Sequence, residues 1–232
     1  MFCVVHTLYV VLFWGVKRNL TVQLDAETIR KAKVLAAERS TSVTRLVAQE
    51  IERLVDEDSA YRQALPTVLD QLERGFHMGG ACFQSASPSM SDELTFVDSN
   101  VLVYAYDADA GTKHDKSRAV VEDLWRSRSG SVSTQVLQEF YVVATRKLVK
   151  PLARRDARAI VAAYKAWPVH RPTVDDITAA SELEERHQLQ FWDAMVVTSA
   201  LRLGASIIVS EELQQGQHFR GLVVVNPFAS TA

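Results

Sequence analysis

The chain has 232 residues, room for one large domain or two unequal ones, and at 47% hydrophobic and 23% charged it has the make-up of a globular protein. Its formal net charge of -2 excludes a uniformly basic polyanion binder. The charge is unevenly spread, however: net +4 from Lys17 to Arg45, net -4 from Leu46 to Met90, and near neutral beyond Ser91, which points to one local polyanion contact near the N-terminus.

Met1 to Val16 is apolar but shorter than the roughly 20 residues a membrane span needs. It lacks the basic start and cleavage site of a signal peptide. Residues 1–15 therefore read as a non-native or disordered apolar extension, with translation starting at Val16. Cys3 and Cys82 form neither a metal spacing nor a disulfide framework, so a reducing cytoplasm is the expected compartment, with no membrane contact.

Lys17 to Leu24 alternates, with Leu20, Val22 and Leu24 on one face and Asn19, Thr21 and Gln23 on the other, the period of a half-buried strand. Helices follow over about Ala26–Arg39 and Val43–Asp56, separated by Ser40-Thr41-Ser42, with Ser42 a good N-cap. One strand and two helices bury too little to stand alone, and the strand has open edges; a homodimer pairing the strand with its mate answers both needs.

Residues 16–57 resemble the ribbon-helix-helix DNA-binding family, which departs here only in carrying Ser40 where glycine is common. The resemblance implies that operator DNA is read in the major groove by Lys17, Asn19, Thr21 and Gln23, with a phosphate held near Ser42 at the start of the second helix. A polar face that is merely solvated is the structural alternative.

Residues 58–80 carry a short amphipathic pattern at Leu65, Val68, Leu69 and Leu72. The Ser-rich stretch 81–92 reads as a linker. From residue 93 onward strands and helices alternate. The expected strands are Leu94–Val97, Gly130–Ser133, Ser206–Val209 and Leu222–Val225. The expected helices lie near 101–107, 114–128, 134–149, 154–165, 174–186 and 192–203. Such alternation argues an α/β domain with a mainly parallel sheet covered by helices on both faces, a three-layer α/β/α arrangement.

Several acids then stand in unusual places. Asp98 ends the first buried strand, where open α/β sheets place their ligands, although an aspartate there also caps helices well. Glu139 falls within the apolar stripe of Val136, Phe140 and Val143, and Asp193 leads that of Val196, Val197 and Ala200. Each alone could be a buried ion pair or a cap. Gathered on one sheet edge, they would repel unless a cation joined them. The histidines, His114, His170, His187 and His218 among them, are too scattered for a zinc site.

Phe-Val-Asp-Ser-Asn-Val-Leu (96–102), Ser-Thr-Gln-Val-Leu-Gln-Glu-Phe (133–140) and Phe-Trp-Asp-Ala (191–194) together resemble the PIN-domain ribonucleases over residues 93–232. The resemblance implies metal-dependent hydrolysis of an RNA substrate. Asp98, Glu139 and Asp193 would hold Mg2+ or Mn2+, Asn100 and Ser210 would orient ligands or water, and Glu212 would serve as fourth acid, ahead of Glu211. Aspartate is the commoner residue at that fourth position. With the upstream unit, the whole chain resembles a VapBC-type toxin–antitoxin pair fused in one chain. That implies that residues 58–80 wrap the nuclease, with Arg74 reaching the carboxylates and Phe76 anchoring the tail, and that the dimer can build higher oligomers. The competing expectation is a DNA-binding autoregulator whose PIN-like half is a catalytically silent interaction domain.

Overall fold

The computed structural model describes residues 25–74 and 93–229. The apolar extension 1–15, the expected strand with Lys17, Asn19, Thr21 and Gln23, the linker 81–92, Phe76 and the side chain of Arg74 all lie outside the described residues. The chain divides into two units, residues 1–53 and 54–232.

The described part of the first unit is helical. Helix α1 (Ala26–Glu38) starts under Asp25, whose carboxylate accepts the Thr28 N–H at 2.8 Å. It ends in a Schellman turn: the Thr41 N–H donates to the Ala36 carbonyl at 2.9 Å and the Ser40 N–H to that of Ala37 at 3.1 Å. This turn puts Ser40 in the left-handed region at φ 50°. Ser40 thus holds a backbone conformation that glycine adopts more readily than a residue with a side chain. Ser42 then caps helix α2 (Val43–Arg74), accepting the Arg45 N–H at 3.2 Å. Among the described residues of this unit only Ala36 is buried, while Ile29, Val34, Leu35 and Ile51 stay exposed.

Helix α2 does not stop near Asp56, as the sequence suggested. It is continuous across residues 57 and 58 and runs through Pro66. No glycine or proline interrupts 56–60, and an apolar stripe at Tyr61, Leu65, Val68 and Leu72 carries the helix onward. An interior proline costs about 3 kcal/mol. Tyr61, Val68 and Leu72 are all buried in the core of the second unit, and at roughly 1.5–3 kcal/mol for each large apolar side chain their burial outweighs that cost.

The second unit is built on six strands: β1 (Thr95–Val97), β2 (Gly130–Ser133), β3 (Val169–His170), β4 (Ile207–Val209), β5 (His218–Phe219) and β6 (Leu222–Val225). Their order is β3-β2-β1-β4-β6-β5, all parallel except β5, which runs antiparallel to β6. The two-residue β3 and β5 are too short to carry a period and were not expected from the sequence.

Helices α3 (Ser99–Tyr106), α4 (Thr112–Ser127), α5 (Thr134–Arg146) and α6 (Arg154–Ala163) connect strands moving outward from β1 to β3. Helices α7 (Val174–His187) and α8 (Phe191–Leu203) bring the chain back to β4. Right-handed crossovers therefore put the first four on one face and the last two on the other. The packing follows suit, α3 against α4 and α5, α5 against α6, and α7 against α8.

The direction of travel reverses between β1 and β4, so the topological switch point lies there. At the opposite, N-terminal edge of the sheet, an aromatic group of Trp125, Tyr164 and Trp167 meets Tyr61. The Tyr61 hydroxyl donates to the Trp125 carbonyl at 2.5 Å. The Arg128 guanidinium lies over the Tyr61 ring, 4.5 Å from its centre, and pairs with Asp58 at 2.6 Å. The described tail residues thus dock by Tyr61 away from the strand ends that carry the acids. Among the described residues no helix is long and apolar enough to cross a membrane.

Candidate active site

Two strand ends flank the switch point. The Asp98 N–H donates to the Val209 carbonyl at 3.0 Å, locking the end of β1 to the end of β4. Asp98 therefore sits directly beside Ser210. The residue is 5% exposed, and its carboxylate collects three donors: the Ser99 N–H on Oδ1 at 2.6 Å, and on Oδ2 the Asn100 Nδ2 at 2.9 Å and the Ser210 hydroxyl at 2.7 Å. Oδ1 thus caps α3, while Oδ2 ties the switch point together.

Ser210 is fully buried and also accepts the N–H groups of Glu212 (3.1 Å) and Leu213 (3.4 Å), which folds the 210–213 loop over the strand end. Asn100 completes the frame, its Oδ1 accepting the Glu211 N–H at 3.2 Å.

Glu139 reaches the same edge from α5, whose N-cap is Ser133 at the end of β2. Asp193 reaches it from the first turn of α8, where Gln190, not Asp193, is the N-cap. Electrostatics shows the convergence. Burial pushes the Asp98 carboxyl up to about 6, against the Ser210 and Ser99 donors, and the charges of Glu212 and Glu139 add to the rise. Asp193 is raised by burial and then by Asp98 and Glu139. Glu212, at the exposed rim, is raised by partial desolvation and then by Asp193, Glu139 and Glu211, with Asn100 opposing. Four carboxylates on four separate elements thus feel one another, and among the described residues no lysine or arginine pairs with any of them.

Of the two neighbouring glutamates, Glu212 faces Asp193 and Glu139, whereas Glu211 turns away to an ion pair with Lys113. As the side chains stand, no three His, Cys, Asp or Glu among the described residues are drawn together tightly enough to hold a metal ion. The donor set nonetheless fits a hard divalent cation in kind: all-oxygen, anionic and without a built-in counter-charge.

Sequence reading passed over two further residues. Gln135 is buried on α5, one turn before Glu139, and its Nε2 bridges Glu139 Oε1 at 3.2 Å to the Trp192 carbonyl at 3.4 Å, holding α5 to the start of α8. A buried amide four residues before a misplaced acid was the available signal. Lys113 had none, because its partner is 98 residues away. The side chain of Arg74 and all of Phe76, expected at the acids, lie outside the described residues.

The PIN-domain family model matches residues 95–215, just over half of the chain. The chain belongs to the PIN-domain family. Among solved structures it is similar to a toxin–antitoxin complex from Klebsiella pneumoniae, at 15% identity and a TM-score of 0.43, covering 58% of this chain and 98% of that one. It is also similar to VapC20 of Mycobacterium tuberculosis, a Sarcin-Ricin loop cleaving toxin, at 22% identity and a TM-score of 0.38, covering 49% of this chain and 86% of that one. No curated protein matches the chain. All four acids of the edge, Asp98, Glu139, Asp193 and Glu212, fall inside the matched PIN region.

Proposed function

We propose that the chain is a divalent-metal-dependent endoribonuclease of the toxin type, restrained by a DNA-binding antitoxin segment in the same chain. The observation that carries the catalytic half is the convergence of Asp98, Glu139, Asp193 and Glu212 on the switch point, where burial and then acidic neighbours raise Asp98, Asp193 and Glu212 and no basic partner stands among the described residues. In this reading Asp98, Glu139 and Asp193 hold Mg2+ or Mn2+, with Glu212 at the open side. The bound cation supplies charge neutralisation at the phosphate and an activated water. The chain's own polar groups do the orienting. Asn100 and Ser210 fix the Asp98 carboxylate, and Gln135 fixes Glu139 against α8.

The restraining half rests on the resemblance of residues 16–57 to ribbon-helix-helix proteins. It is supported by the Ser40 turn, the Ser42 cap and the exposed Ile29, Val34, Leu35 and Ile51, which a second copy would cover. Lys17, Asn19, Thr21 and Gln23 would read operator DNA, the dimer could assemble further, and residues 75–80 would bring Phe76 to the nuclease beside Arg74.

The test is cleavage of single-stranded and hairpin RNA, with matched DNA oligonucleotides, by the full chain in Mg2+ or Mn2+. A parallel chain beginning at Leu54 and carrying Arg74→Ala and Phe76→Ala serves for release from both the first unit and the tail. A cut at residue 91 would strip Tyr61, Val68 and Leu72 from the core and confound the result. RNA cleavage lost in Asp98→Asn supports the proposal. Metal binding without cleavage in either chain would favour the silent interaction domain, and cleavage of DNA alone would reassign the substrate.

A further inference from the structure

A polyanionic substrate approaching four carboxylates needs a cation at the rim. Lys113, in the first turn of α4, is 39% exposed by its side chain and is tied to the acids by a continuous chain of contacts. Its ammonium pairs with Glu211; the Glu211 N–H donates to Asn100; and Asn100 donates to Asp98. The same ammonium lies 4.8 Å from the centre of the Tyr104 ring and 5.4 Å from that of Phe228, two rings that meet edge to face at 5.6 Å. Its Nζ also stands 3.5 Å from the Tyr104 hydroxyl.

A lysine placed over aromatic faces beside a cleavage centre combines the two elements by which proteins hold single-stranded nucleic acid: a charge for the backbone and ring surfaces for bases. We infer that Lys113, with Tyr104 and Phe228, forms a subsite for a phosphodiester neighbouring the scissile one, and that Glu211 occupies this cation until the substrate displaces it. The inference rests on the nuclease reading. Glu211 is 28% exposed by its side chain, so the pair is exchangeable, and ion pairs of this exposure hold little of the fold. Lys113→Met is therefore expected to fold normally.

The variants act with opposite sign. Lys113→Met removes one phosphate contact, lowering the salt slope of single-stranded RNA binding by about 0.7 and the affinity several-fold. Glu211→Gln frees Lys113 and tightens binding. Combining the two abolishes that gain. The measurement is anisotropy of a labelled single-stranded RNA in Ca2+ over a range of salt, on full-length chains that all carry the tail substitutions Arg74→Ala and Phe76→Ala so that the site is open, with thermal melts as the fold control. Equal slopes for wild type and Lys113→Met, or weakening by both single variants, would overturn the subsite. RNA binding that behaves as expected in an open-site chain that cleaves no RNA with Mn2+ would sink the nuclease reading and leave Lys113 as an RNA contact without a scissile neighbour. An open-site chain with Lys113 and Glu211 intact that does not bind RNA would sink both.

Discussion

Replacing Asp98 by asparagine should stabilise the metal-free protein. In the folded chain burial pushes this carboxyl up to about 6, from an ordinary 3.8. A carboxyl raised on folding favours the fold while protonated: its contribution is full below about pH 3.8 and is lost as pH rises through about 6. The shift of about two units corresponds to roughly 3 kcal/mol lost by about pH 7.5, and about half of that is already lost near pH 5. Asparagine escapes this loss but cannot match all three donors on the Asp98 carboxylate, and one mispaired buried hydrogen bond returns about 1–2 kcal/mol.

Asp98→Asn should therefore gain on the order of 1–2 kcal/mol at about pH 7.5 in a chelator, and the gain should shrink by roughly 1.4 kcal/mol on going to about pH 5. Urea unfolding of both chains at the two pH values measures this. Added Mg2+ should raise the wild-type midpoint and leave the variant's where it is, since ligand that binds only the native state stabilises by mass action. A variant less stable than wild type at both pH values would show that burying the Asp98 charge does not cost the fold what its raised carboxyl implies.

Ser40→Gly should stabilise the first unit by up to about 1 kcal/mol, because it relieves the left-handed backbone at φ 50°; a loss, read by amide exchange at Thr41, would mean the turn is not formed. Gly130→Ala should cost about 1–3 kcal/mol or more in urea unfolding, since a Cβ there would lie 2.3 Å from the Trp167 ring, which Trp125 and Tyr164 hold in place. Tyr61→Phe should cost about 1 kcal/mol by removing the hydroxyl bond to the Trp125 carbonyl, and an unchanged midpoint would show that the tail helix does not dock there. Asp176 is lowered: burial raises it, but the Thr173 N–H and hydroxyl, Arg202 and His170 overcome that. Its contribution is thus present above the unfolded value of 3.8 and lost as pH falls below it, and Asp176→Ala should cost about 3–5 kcal/mol near neutral pH while abolishing that acid limb.

The sequence reached the sheet through its longer strands. Gly130–Ser133 and Leu222–Val225 fall where the alternation of strands and helices placed them, and the helices follow from 3.6-residue periodicity. What failed was local in origin. The end of α2 is set by tertiary contact, with Tyr61, Val68 and Leu72 finding a core that no window of neighbouring residues can reveal. At Ser40 a departure from the glycine pattern looked like a weakness in the resemblance. The backbone there adopts the glycine conformation all the same, at the cost of strain in one residue.

At the candidate site, identity was legible and orientation was not. Glu211 and Glu212 are neighbours with the same chemistry, and only the fold turns one to Lys113 and the other to Asp193 and Glu139. The same limit applies within a single carboxylate. An ionised carboxylate offers about four lone-pair positions, two on each oxygen. In Asp98, Asn100 and Ser210 fill both positions on Oδ2, and Ser99 fills one on Oδ1. The position left on Oδ1 is therefore where this residue can take a cation without giving up a hydrogen bond. The cap and the ligand reading of Asp98 are then two uses of one oxygen, and a variant that frees Oδ1 from the helix would alter metal affinity before it alters the fold.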